Sequence, residues 1–210
     1  MMNSKARGFT LLEVMITMSL MGLLMVLIAS TLTLSNRTLS ISEYYSTRLS
    51  EIRSAQSFIR KSLQQSLPIV FLRDGKNTDW IFDGERQQLR FVAPMPPPLL
   101  GGVKIHSIEL ADNDEASSNL QVSFRQTPTQ GVNAWGEPQI LLQNVQNLRI
   151  SYRGLDNNQR VTNWLENWPW PERLPQYIKV DLDTQGPISW PQLVVAIRLS
   201  PMAPIDRITP

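Results

Sequence analysis

The chain begins with a long apolar segment that carries a single charge. After a polar leader, residues 9–29 contain one ionisable side chain, Glu13. Roughly 20 apolar residues in an α-helix span the ~30 Å hydrocarbon core of a bilayer. We therefore predict a membrane-spanning helix over residues 9–30. Lys5 and Arg7 precede it, and positive charge of this kind keeps the leader in the cytoplasm and places the C-terminus outside.

A second apolar pattern continues the helix beyond the membrane segment. Apolar residues recur there at spacings of three, four or seven, which keeps them on one helix face. They are Ile41, Tyr45, Leu49, Ile52, Ile59, Leu63 and Leu67. Arg48 and Lys61 lie off this stripe, and Pro68 ends the pattern. We expect residues 31–67 to form an amphipathic continuation of the helix that packs on a head domain.

Short alternating runs follow and predict antiparallel strands, because their apolar and polar positions repeat with period two. Their apolar positions are Leu89 and Phe91; Leu120, Val122 and Phe124; Leu148, Ile150 and Tyr152; Ile178, Val180 and Leu182; and Leu193, Val195, Ile197 and Leu199. Pro94 and residues 96–98 predict a stiff connection. The predicted fold class is α+β, a long N-terminal helix packed on an antiparallel β-sheet head over residues 68–200, with an irregular tail over residues 201–210.

Composition removes several classes of function. The 210 residues include no cysteine, so disulfides, thiol nucleophiles and cysteine-ligated zinc are excluded. The net charge of +2 comes without a basic block, and we expect no nucleic-acid partner. The only histidine, His106, cannot alone form a histidine-based metal site or a catalytic triad. We expect it to be structural or exposed, and we expect no metal site and no cofactor.

The start of the apolar run combines several specific features. Gly8 is a small residue directly before Phe9, and Glu13 is the fifth residue of the segment that begins there. The motif resembles the prepilin processing site of type IV pilins and type II secretion pseudopilins, through the run Arg7-Gly8-Phe9-Thr10-Leu11-Leu12-Glu13. In that family a prepilin peptidase cleaves after the glycine and N-methylates the new terminus. The resemblance implies cleavage between Gly8 and Phe9, methylation of Phe9 and removal of residues 1–8.

Glu13 places a carboxylate a few residues inside the bilayer. An unpaired charge is costly at that depth, so the residue indicates function. The resemblance implies that it pairs with the free N-terminal amine of a neighbouring subunit, which would set the register between helices. The alternative is that the side chain only extends to the membrane interface.

A second, looser resemblance lies in the last third of the sequence. Over residues 141–200, a tyrosine-bearing strand, a tryptophan-bearing loop and a strand introduced by Leu174 and Pro175 follow one another. This order resembles the J-type minor pseudopilins of type II secretion (the GspJ family). The resemblance implies a single-pass inner-membrane protein whose periplasmic head joins I- and K-type minor pseudopilins and the major pseudopilin, in a tip complex that supports export of folded proteins. A minor pilin of a type IV pilus, for adhesion, motility or DNA uptake, is the alternative.

The remaining candidates for chemistry are better explained as surface residues. Asp181 and Asp183 alternate with apolar positions of a predicted strand, which favours a solvated face over a catalytic carboxylate pair. The acidic run at residues 112–115 has oxygen ligands for calcium but lacks the spacing of an EF-hand loop, so we interpret it as a polar turn. We expect a protein that is processed by an enzyme and is not itself an enzyme.

Three tryptophans lie within seven residues, at Trp164, Trp168 and Trp170. So many large aromatic side chains are not left exposed without a reason. Two interpretations stay open: the tryptophans cover an edge of the core, or they form a protein interface, where tryptophan is enriched.

Overall fold

A computed structural model describes residues 10–73, 78–95, 101–112, 117–128, 131 and 133–197. Within these residues one long helix is followed by nine strands. The chain divides into two units, Met1–Thr47 and Arg48–Pro210, and the helix contributes to both. The predicted tail at residues 201–210 lies outside the described residues.

Helix α1 runs from Leu11 to Gln64. Thr10 precedes it and caps its first turn: its carbonyl oxygen and its Oγ1 both accept the backbone N–H of Glu13, at 3.1 and 3.3 Å. A threonine followed three residues later by a glutamate is a common helix start, because the threonine side chain satisfies a free N–H group. The helix ends three residues before the predicted Leu67, which instead forms a bridge with Val92 of the sheet.

The strands form two sheets. A small sheet pairs β1 (Leu72–Arg73) with β2 (Asp79–Trp80). The large sheet is an antiparallel meander in which each strand pairs with its neighbours in sequence. Its members are β3 (Phe82–Gly84), β4 (Gln88–Pro94), β5 (Val103–Asp112), β6 (Ser118–Gln126), β7 (Gln139–Arg153), β8 (Tyr177–Thr184) and β9 (Leu193–Ala196).

The five alternating runs are confirmed as strands β4, β6, β7, β8 and β9. Strand β9 ends at Ala196, so the predicted Ile197 follows it and Leu199 lies outside the described residues. Pro94 was wrongly predicted to lie in a connection, because it is the last residue of β4 and pairs with Val103. Proline is tolerated there because a strand end does not need its missing N–H. Residues 96–98 lie outside the described residues.

The core forms between the C-terminal part of α1 and one face of the large sheet, here called the inner face. The helix contributes Ile52, Ala55, Ile59 and Leu63, and the sheet contributes the apolar phase of each strand. Three of these helix residues belong to the predicted stripe, which is thereby confirmed from Ile52 to Leu63. The opposite, outer face carries a smaller cluster formed by Phe71, Val92 and Ile105, with Trp80 and Val103 packed against it.

Arg48 was wrongly predicted to lie off the buried side of the helix. Its side chain is buried, and its Nη2 donates to the carbonyl oxygens of Gln143 and Gln185 at 3.0 and 3.4 Å, while Nη1 pairs with Glu51 at 3.0 Å. Strand β7 shifts register at this point, and Asn144 adopts a left-handed backbone with φ of 57°. Arg48 therefore supplies donors where the regular ladder of the sheet is interrupted.

Candidate assembly interface

The first unit contains a helical stretch that is long and apolar enough to cross a membrane. It covers Leu11–Leu32, 22 residues, and its side chains are exposed in the described part of the chain. Hydroxyl groups inside it bond back to the helix: Thr17 Oγ1 donates to the Val14 carbonyl and Ser19 Oγ to the Met15 carbonyl, each at 2.9 Å. Such bonding satisfies hydroxyl groups without water, as a hydrocarbon environment requires.

Glu13 lies in the first turn of α1 with an exposed side chain. A negative charge at a helix N-terminus is favourable by roughly 0.3–1 kcal/mol. No cation among the described residues forms an ion pair with its carboxylate. Gly8 and Phe9, the predicted processing residues, lie outside the described residues.

The loop between β7 and β8, which carries the three tryptophans, runs along the edge of the large sheet. Trp168 donates its backbone N–H to the carbonyl of Gly84, the last residue of β3, at 2.8 Å. The carbonyl of Pro171 accepts the N–H groups of Ile81 and Phe82 at 2.8 and 3.0 Å. The loop thereby supplies partners to backbone groups that an edge strand would otherwise leave unpaired.

The indole of Trp168 belongs to the core. It is 6% exposed, and its Nε1–H donates to the carbonyl of Arg173 at 2.8 Å. Gly154 lies directly against the ring, since a Cβ at that position would stand 2.7 Å from Cη2 of Trp168. The absence of a side chain at position 154 therefore allows the indole to close the end of the core.

Trp170 is half-buried and holds the loop through ring contacts. Its ring meets that of Trp168 edge to face, with centroids 4.9 Å apart, and the Arg173 guanidinium lies 5.0 Å from its centre. Contacts of each kind contribute on the order of 1 kcal/mol. Trp170 and Trp168 are thus placed as the core-edge interpretation expects.

Trp164 differs from the other two because its side chain is 38% exposed. The ammonium group of Lys179 lies 5.2 Å from its ring centre. Lys179 is the cross-strand partner of Val194 and stands two residues from Tyr177 on the outer face of β8. Both of these neighbours are exposed as well. We call Trp164, Tyr177, Lys179 and Val194 the Trp164 patch.

The linear sequence indicates one member of the Trp164 patch, Trp164 itself, and leaves the others unrecognised. Tyr177 and Val194 occupy the polar phase of strands whose other phase is buried. An apolar side chain on the phase that faces solvent is the signal that indicates such a surface. Adjacent exposed aromatic and aliphatic groups with a cation above one ring are typical of a protein-binding surface.

His106 is fully buried on the inner face of β5. Three rings surround it, with centroid distances of 6.5 Å to Phe58, 5.3 Å to Phe91 and 4.9 Å to Phe124. Neither ring nitrogen has a hydrogen-bond partner among the described residues. Burial lowers the pKa of His106 to about 4. The imidazole is therefore a neutral packing group near pH 7.

The acidic candidates are surface groups. Asp181 and Asp183 lie on the outer face of β8, as predicted, while Leu182 between them points into the core. Asp183 pairs with Arg149 at 3.2 Å, and Asp181 lies 3.7 Å from Lys179. In the described ranges, no three histidine, aspartate or glutamate residues come close enough to hold a metal ion. Residues 113–115 of the predicted polar turn lie outside those ranges.

An apolar N-terminal helix of membrane-spanning length, followed by a helix-on-sheet head, fits the class of pilin-like proteins. Residues 3–29 match the family described as prokaryotic N-terminal methylation motif, and residues 30–195 match the family described as type II secretion system (T2SS), protein J. The protein belongs to the type II secretion system protein J family.

A relative supports the same assignment over nearly the whole length. Type II secretion system protein J of Xanthomonas campestris pv. campestris is 31% identical over 202 residues, which cover 93% of this chain and 95% of the relative. The predicted J-type resemblance is confirmed, and the protein is a minor pseudopilin of type II secretion. These matches favour secretion over the alternative of a type IV pilus. The family is one of structural secretion subunits.

Proposed function

We propose that this minor pseudopilin joins I- and K-type minor pseudopilins at the tip of the pseudopilus, above the major subunits. The apolar helix Leu11–Leu32, the one of membrane-spanning length in the described part of the chain, follows Lys5 and Arg7 and supports an inner-membrane anchor with a cytoplasmic leader and a periplasmic head. In this organisation residues 1–8 are removed, residues 9–30 span the membrane, and residues 31–67 connect the span to the head at residues 68–200. The role is one of binding and needs no catalytic group and no cofactor.

Processing is proposed to occur between Gly8 and Phe9 by a prepilin peptidase. The match of residues 3–29 to the N-terminal methylation motif supports this position. We expect the intact mass of protein purified from assembled material to correspond to residues 9–210 with one added methyl group. A Gly8→Val variant should keep its leader, whereas Ala6→Val, a matched change inside the leader, should not affect cleavage. Assembled wild-type protein that retains residue 1 would contradict the proposed site.

Glu13 is proposed to pair with the free N-terminal amine of a neighbouring subunit. Its carboxylate is exposed, and it sits on a helix whose surface is otherwise apolar around it. In hydrocarbon an unpaired carboxylate and an unpaired amine each carry a large desolvation cost, and pairing them offsets part of both. The pair would also select one axial offset between two apolar helices, which apolar contacts alone distinguish poorly.

Glu13→Gln is therefore expected to reduce co-purification with the other pseudopilins by tenfold or more and to lower exoprotein release in a complemented deletion strain. Glutamine keeps the size and helix propensity of the residue but removes its charge. Ser19→Ala is the matched control, because the Ser19 hydroxyl bonds only within its own helix. Head unfolding should be the same in wild type and both variants. Normal assembly of Glu13→Gln would rule out the charge pair.

The Trp164 patch is proposed as the head surface that contacts another minor pseudopilin. Its exposed rings and its aliphatic side chain bury readily against a partner, and Lys179 lies beside them to pair with a partner carboxylate. The contacts of Trp168 and Trp170 hold the loop that also carries Trp164. In this proposal Trp164 belongs to an interface, whereas Trp168 and Trp170 cover the edge of the core.

Trp164→Ala is expected to weaken the affinity for the partner head by at least tenfold, about 1.4 kcal/mol, because exposed tryptophans that become buried anchor interfaces. The free energy of unfolding of the head should stay within about 1 kcal/mol of the wild-type value, since the ring is already partly in solvent. Val161→Ala, an exposed change in the same loop, serves as the control. Binding is measured by titrating detergent-solubilised full-length proteins. Unchanged affinity of Trp164→Ala would remove this surface from the interface.

A further inference from the structure

A polar slot lies on the outer face of the large sheet, away from the Trp164 patch. Its volume is about 160 Å³, and strands β4, β5 and β6 form its floor. Its wall comes from the segment that leads into β1. The residues that matter to its chemistry are Phe71, Arg90, Ser107, Glu109, Ser123 and Arg125.

Strand register explains why a slot forms at this place. Ser107 on β5 is the direct cross-strand partner of Arg90 on β4 and of Ser123 on β6. The two small serine side chains are therefore neighbours on the outer face. Arg125 is the partner of Ile105, one row further along the outer face. Small residues flanked by long ones leave a depression whose floor is formed by the two hydroxyl groups.

The slot contains hydrogen-bond donors without partners. Among the described residues, the hydroxyls of Ser107 and Ser123 and the guanidinium of Arg125 make no hydrogen bond or ion pair. Arg90 binds Asp83 through Nε, at 2.7 Å, and through Nη2, which leaves its Nη1 available within the described part of the head. Two hydroxyls, one unpaired guanidinium and part of a second therefore line one small cavity.

Among the described residues that line the slot, Glu109 carries the only carboxylate. Neighbouring side chains already donate hydrogen bonds to it. It accepts Nε2–H groups from Gln88 at 2.6 Å and from Gln121 at 3.3 Å. Glu109 stands four residues from Ile105 on β5, so its row is about 13 Å along the strand from that of Arg125, at about 3.3 Å per residue. The slot is thus basic at one end and acidic at the other.

We propose that the basic end of this slot binds a carboxylate of a partner protein, from an aspartate, a glutamate or a C-terminus. A carboxylate accepts up to about four hydrogen bonds, and guanidinium and hydroxyl groups are its usual donors. The ring of Phe71 beside them suits the methylene groups that carry such a carboxylate. A phosphate dianion fits less well, because Glu109 lies in the same slot and would repel the second charge. The protein source rests on the proposed function, whereas the carboxylate chemistry does not.

The chemistry is tested on the full-length protein in detergent. Arg125→Lys keeps the charge and introduces an amine. A carbodiimide activates a carboxylate held next to this amine, the amine attacks the activated carbonyl to form an amide, and the carbodiimide leaves as its urea. N-acetylglycine is the probe, and the modified peptide is quantified by mass. Arg53→Lys on α1 is the control, because Arg53 is exposed and has no ion pair among the described residues. We expect at least tenfold more amide at position 125, saturation with probe concentration, and loss of the preference when Ser107→Ala and Ser123→Ala are added together.

Whether the bound carboxylate comes from a partner protein is tested by the same coupling in membranes that contain the other pseudopilins. A cross-link from position 125 to an acidic residue or C-terminus of a second protein, abolished by the double serine change, would support the proposal. Equal coupling at positions 125 and 53, or coupling only to Glu109, would overturn it. Coupling of N-acetylglycine without any protein cross-link would overturn the protein source. In every case the Glu13 and Trp164 variants report on the proposed function independently.

Discussion

Acidification from pH 7 to pH 4 is expected to cost the head about 3 kcal/mol of unfolding free energy through His106, of which about 2 kcal/mol is lost by pH 5. The folded pKa is about 4 against an ordinary value of 6.5, because burial among aromatic rings disfavours the imidazolium. A lowered histidine pKa means that the unfolded chain binds the proton more tightly. The free energy of unfolding is therefore unaffected by His106 above pH 6.5 and decreases as the pH drops towards 4.

The variant that isolates this effect is His106→Leu. Leucine fills a similar volume with no nitrogen to leave unsatisfied, so we expect a change under about 1.5 kcal/mol at pH 7 and a much flatter stability profile between pH 6.5 and 4. Urea unfolding of the full-length protein in detergent, followed by tryptophan fluorescence, measures it. Ile108→Leu on the same inner face is the control, and it should keep the wild-type slope. Because the protein has one histidine, an unchanged slope in His106→Leu would refute the assignment.

Arg48→Met is expected to destabilise the head by about 2–4 kcal/mol, because it removes the donors of two carbonyl groups in a buried place. Methionine preserves much of the apolar stem, so the loss reports mainly on the guanidinium. The carbonyls of Gln143 and Gln185 would be left without these bonds where β7 is irregular. This position also lies at the boundary between the two units of the chain.

The control for Arg48 is Glu51→Gln. Glu51 is the half-exposed partner of the arginine, and such an ion pair contributes about 0–1 kcal/mol. The denaturant midpoints of wild type and the two variants are compared at one pH. If the dependence of the unfolding free energy on denaturant concentration is the same for all three, the midpoints give the differences in stability. A loss in Arg48→Met no larger than that in Glu51→Gln would mean that the buried hydrogen bonds contribute little.

Strand β5 was not predicted from the sequence, because its apolar residues do not alternate regularly. The other long strands bury one face, so their apolar residues alternate cleanly and were predicted. In β5, Ile108 packs into the core, whereas Val103 and Ile105 pack into the cluster on the outer face. Apolar residues on both faces obscure the period of two. The cover over the outer face comes from Phe71 and Trp80, which sequence alone does not bring to that surface.

The candidate site divides in the same way. Glu13 and the processing residues could be predicted from the sequence alone, because a charge within an apolar run and a short motif are visible in consecutive residues. The sequence did not show which tryptophans are buried. Trp168 is buried because it packs against Gly154, whereas Trp164 stays exposed beside Lys179. Spacing along a loop does not reveal which ring turns inward.

Local sequence patterns were sufficient to predict the apolar helix, the α+β class and the alternating strands, because helix period, strand period and membrane partition depend on neighbouring residues. The burial of Arg48, the aromatic surroundings of His106, the Trp164 patch and the polar slot became visible only in three dimensions. Each of these depends on contacts between segments far apart in sequence: Arg48 with Gln143, His106 with Phe58, and Ser107 with Ser123. Such contacts are set by strand register and helix docking, which a linear pattern does not specify.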